Sequence, residues 1–160
     1  MSAENLTSLL SKILVLHQNL YKLSEHKTDI LKKGDIDALN EHMKEEQKYL
    51  LAIRQLENER IGMVEKLLGP RVAEKTLTKC IEVVQESHKT QLTKLSEELV
   101  EIVNKLKDVN SLNQQLTHQS LQFVNMTLDM LVPQEQTVNY GKPTEAKEQK
   151  QSRPMFDSKA

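Results

Sequence analysis

The chain has 160 residues, of which 38% are hydrophobic, only 3% aromatic with no Trp, and 28% charged, the composition of helical bundles and coiled coils. A net charge of -1 leaves no positive field for phosphates, which argues against nucleic acid and anionic membrane surfaces as partners. The longest aliphatic run, Ile13 to Leu16, is too short for direct membrane insertion, and Met1-Ser2-Ala3-Glu4 lacks the basic flank of a signal peptide, so a cytoplasmic protein is expected.

Taken in order, Leu6, Leu9, Ile13, Leu16, Leu20, Leu23, Lys27 and Ile30 step by threes and fours, and Leu10, Leu14 and Tyr21 widen the stripe to the face of a bundle helix. The spacing predicts a first helix over about residues 3–31. Lys32-Lys33-Gly34-Asp35 then offers positive charge for a last turn, a glycine able to take positive φ, and an Asp to cap the next helix. So short a turn makes the first two helices antiparallel neighbours. The second helix, 36–68, carries Ile36, Leu39, Met43, Glu46, Leu50, Ile53, Glu57, Arg60, Val64 and Leu67 on one seam and stops at Gly69-Pro70. Glu57 and Arg60 are one turn apart and can pair, either as a partly solvated ion pair or as a device that specifies the partner helix.

Residues 71–87 are less regular. Thr76 or Thr78 could cap a connector helix over about 77–86 holding Leu77, Cys80, Ile81 and Val84; with no Gly or Pro after it, that helix could equally run into the next. Lone Cys80 can form no internal disulfide and reads as a small buried apolar residue.

The stretch from Leu92 to Leu131 contains no Gly or Pro and repeats a heptad seam through Leu92, Leu95, Leu99, Ile102, Leu106, Val109, Asn113, Leu116, Ser120 and Phe123. A helix over about 88–131 follows. Asn113 is a polar residue among aliphatics; it costs stability unless hydrogen-bonded, and in coiled coils such a residue sets register. If Leu92 lies level with Val64, Phe123 reaches the Gly34 turn and residues 124–131 project by ~12 Å at ~1.5 Å per residue. There the apolar stripe moves by one position, to Leu121, Val124, Leu128 and Leu131, and Met126 and Met130 are expected to flank it. An overhanging apolar face needs a partner, which makes these six residues the candidate docking surface. From Pro133 the pattern dissolves into Pro, Gln, Glu, Lys and Ser, and a disordered tail over 133–160 is expected.

Together these elements predict an all-α fold: long antiparallel helices in an up-and-down bundle or coiled coil. His17, His26, His42, His88 and His118 are scattered, and no HExxH, Cys/His cluster or glycine-rich phosphate loop exists. No catalytic residue, metal or cofactor is expected, and an enzyme is disfavoured.

Four stretches carry a resemblance: NSLNQQLTHQSLQF (Asn110 to Phe123), LENER (Leu56 to Arg60), VNYG (Val138 to Gly141) and the terminal FDSKA (Phe156 to Ala160). In order and spacing they are similar to the FlgN-type flagellar export chaperones of bacteria. The resemblance implies a non-enzymatic cytoplasmic bundle whose clients are the hook-filament junction proteins and whose destination is the membrane export gate of the flagellar type III secretion system. It places client binding in the C-terminal region, here Leu121 to Leu131, and gate docking at a tail tyrosine, best matched by Tyr140 with Gly141. The competing expectation is a structural coiled coil that uses its seams for homo-oligomerisation or as a scaffold subunit.

Overall fold

The computed structural model describes residues 3–132; the expected disordered tail, with Tyr140 and Gly141, lies outside the described residues. The described residues form four helices: α1 Ala3–Lys33, α2 Ile36–Leu68, α3 Leu77–Val83 and α4 Glu86–Leu131. The described residues are all-α, as the periodicity implies.

The helix ends follow local chemistry. Gly34, at φ 68°, donates its N–H to Ile30 O at 3.0 Å and closes α1. Asp35 then accepts from Ala38 N at 3.0 Å as the N-cap of α2. Gly69 closes α2 by donating to Glu65 O, and Thr76, rather than Thr78, caps α3 by accepting from Lys79 N at 3.3 Å. The connector helix and the long helix are separate. Val84 and Gln85 are extended, with ψ of 160° and 148°, so the long helix starts at Glu86 without a side-chain cap, ahead of the Ser87 signal. The break needs no Gly or Pro, because the extended turn lets Val84 reach the same apolar cluster as Cys80 and Leu92.

Leu6, Leu10 and Leu14 of α1 gather with Val64 and Leu68 of α2, Cys80, Val84, and Leu92, Leu95 and Ile102 of α4 in one core. The start of α1 therefore lies beside the start of α4 and the end of α2, so α1 and α4 run parallel and α2 runs against both. The central helix is α1 and not the longer α4. α1 packs on both α2 and α4, whereas no Cα of α2 comes within 8 Å of a Cα of α4. Only α1 has apolar residues wide enough around its circumference, from Leu6, Leu10 and Leu14 to Leu9, Ile13 and Leu20, to serve two neighbours. The single stripes of α2 and α4 serve one long helix each, and most of the α2 seam is only half-buried. Burial holds the Cys80 thiol above its ordinary pKa.

Candidate functional site: the uncovered end of the long helix

Asn113 is the last buried residue of α4. Its Nδ2 donates to Ser24 O at 2.9 Å, and its Oδ1 accepts from the Thr28 hydroxyl at 2.6 Å. Both polar ends of the amide are thereby satisfied by α1, which locks the two helices in one register. Asn113 lies level with about the midpoint of Ser24 and Thr28, so the end of α1 at Lys33 falls level with about Ser120, and residues 121–131 overhang by about 16 Å at ~1.5 Å per residue. The overhang thus begins nearly a turn before the point expected from the sequence.

Along the overhang every apolar residue is exposed: Leu121 is 58% accessible, Val124 and Leu128 51%, Leu131 73% and Met130 81%. The hydroxyls leading into it and along it are satisfied within the helix, Thr117 on Asn113 O, Ser120 on Leu116 O and Thr127 on Phe123 O. From Val109 to Leu128 α4 has no Asp, Glu, Lys or Arg. At about 100° per residue, Leu121, Val124, Leu128 and Leu131 fall within about 80° of one another. Met126 and Met130 do not flank that stripe. With Phe123 they lie roughly 150° away on the other side of the helix.

Glu57 and Arg60 pair at 2.8 Å, half-exposed on α2 and far along the bundle from the overhang. Sequence reasoning missed His42. It is buried, with Nε2 2.6 Å from Leu23 O and Nδ1 unpartnered, and its ring lies 5.9 Å from that of His26. Its seam-edge position two turns from Leu50 resembles that of any surface histidine, so only the partner carbonyl on α1 reveals its burial. The depression beside it, about 830 Å³, is edged by Glu41, Lys44, Glu45, Lys48 and Tyr49. Among the described residues no cluster of three His, Cys, Asp or Glu could hold a metal ion, and no helix is long and apolar enough to cross a membrane.

The end of α4 beyond Ser120 is thus largely apolar, with Asp129 as its charged residue, and α1 does not cover it. The model of the FlgN protein family matches residues 1–148, and the chain belongs to that family. The family is one of flagellar export chaperones, with a role in flagellum biogenesis. The chain is also 41% identical over 161 residues, 100% of both chains, to a protein of Bacillus subtilis (strain 168) described as uncharacterized protein YvyG. No solved structure matches.

Proposed function

We propose that this chain is a cytoplasmic export chaperone that holds a hook-filament junction protein on the face formed by Leu121, Val124, Leu128 and Leu131, keeps it unassembled, and delivers it to the export gate of the flagellar type III secretion system. The observation that carries the reading is the exposure of this stripe on a helix end that α1 does not reach. A client whose assembly surface is an amphipathic helix would bury that stripe and cover its own. Tyr140 and Gly141 are proposed as the gate-docking element on the strength of family resemblance.

Titration of the full-length chain with a hook-filament junction protein of the same bacterium tests this. Val124→Ala with Leu128→Ala should weaken binding by ~2 to 4 kcal/mol, at ~1 to 2 for each anchor, with helicity near wild type. Equal loss of folding and binding would show that the face belongs to the core. Light scattering on the same samples separates a one-to-one client complex from a homo-oligomer in which the stripe serves self-assembly.

A further inference from the structure

Because α2 and α4 both pack on α1 while their Cα atoms stay more than 8 Å apart, the three long helices form a trough with α1 as its floor. At one end α3 fills it: α3 packs on α2 and α4, and Cys80 and Val84 join Val64, Leu68 and Leu92 in the core. At the other end no element of the described chain fills it. A groove of about 460 Å³ remains there, floored by Leu20 and Ser24 and walled by Leu50 of α2 and by Asn110, Thr117 and Leu121 of α4.

Both walls continue beyond the groove. On α4, Asn110, Thr117, Val124 and Leu131 are seven apart, so the overhanging stripe extends the groove wall in a straight line. On α2, Ile36, Met43 and Leu50 are also seven apart and are 70%, 48% and 46% exposed. This apolar row therefore runs along the opposite side. The trough offers little net charge to an occupant. Lys27 and Glu46 neutralise each other at 3.0 Å in the floor, and the α4 wall has no carboxylate, Lys or Arg from Val109 to Leu128.

We infer that this trough is the seat of a helix from the partner protein, an amphipathic helix with an uncharged apolar stripe, lying between α2 and α4 as α3 does at the other end and running out along the overhang. The inference rests on the reading of the Leu121–Leu131 face as the docking surface, and it adds α2 as a second wall, with Met43 and Leu50 as contacts. α3 supplies the argument for a helix: the same gap, between the same two helices, is closed by one wherever it is closed. A helix held on two walls and a floor buries its whole stripe, where the overhang alone would cover one side.

The test uses the full-length chain and a hook-filament junction protein of the same bacterium as probe. Met43→Ser with Leu50→Ser, both half-exposed in the free chain, should leave the melting temperature near wild type and weaken binding at least about tenfold, the size expected for lost anchors. In a second measurement, Met43→Cys is labelled with bimane, which reacts selectively because Cys80 is buried. Its emission should shift to the blue only when the probe protein is added. Wild-type affinity in the α2 variant, alongside lost affinity in Val124→Ala/Leu128→Ala, overturns the inference and leaves the proposed function standing; wild-type affinity in both overturns both. A bimane already blue-shifted in the free chain and released by deleting residues 133–160 makes the tail the occupant. A shift that grows with the chain's own concentration makes it a second copy. Either result overturns the inference, and the bimane readout decides the matter even if the double Ser variant fails to fold.

Discussion

Asn113 illustrates how a residue's cost depends on what the fold places opposite it. In the seam it is a polar intrusion whose removal ought to raise stability; beside Ser24 and Thr28 it is satisfied at both ends of its amide. Asn113→Ala should therefore destabilise by about 1 to 3 kcal/mol. Thr28→Val removes the other half of the same bond, so the two changes should fall short of additivity by ~0.5 to 1.5 kcal/mol in a denaturant double-mutant cycle. Strict additivity would mean that the bond contributes nothing. The two helix-ending glycines differ in a similarly local way. A Cβ at either Gly34 or Gly69 meets nothing within 4 Å, so only the backbone decides the cost. Gly69, at φ 70° and ψ -179°, occupies a region essentially reserved for glycine. Gly69→Ala should lower stability by roughly 1 to 3 kcal/mol, measured by the shift of the urea midpoint.

At the scale of the element, α4 is two helices in one. As far as Asn113 it is a bundle helix with one buried stripe; beyond Ser120 it is a free rod with apolar residues on two opposed sides. The stripe of Leu121, Val124, Leu128 and Leu131 continues the wall of the trough, and Phe123, Met126 and Met130 face away from it. Replacing Phe123 and Met126 with Ser should then leave client affinity within about threefold of wild type, while the paired Ala changes at Val124 and Leu128 lose far more. Calorimetric titration of both variants side by side checks this. A loss of similar size from both faces would mean that the client wraps the rod.

At the scale of the whole molecule, the main buried cluster gathers at the end where α3 closes the trough, and no described residue fills the opposite end. Residues 133–160 have a composition with little apolar area to bury, so their deletion should leave the melting temperature unchanged and client binding intact. Export, followed by secretion of the client in living cells, should fall with the deletion and with Tyr140→Ala alone. A melting temperature lowered by several degrees would place the tail in the bundle.

The existence and type of the long helices, their antiparallel first turn and the glycine and Asp that make it are consequences of period, caps and φ preference, which act within a few residues and are therefore legible in the sequence. The apolar stripe after Phe123 was legible for the same reason. What only the tertiary structure decided was which helix stands at the centre. That choice turns on how far apolar residues spread around α1 relative to α2 and α4, and on α3 claiming one end of the gap between them. The partners of Asn113, the burial of His42 and the open trough beside Leu50 all follow from that arrangement. Each depends on residues distant in sequence meeting across α1, and no local pattern encodes such a meeting.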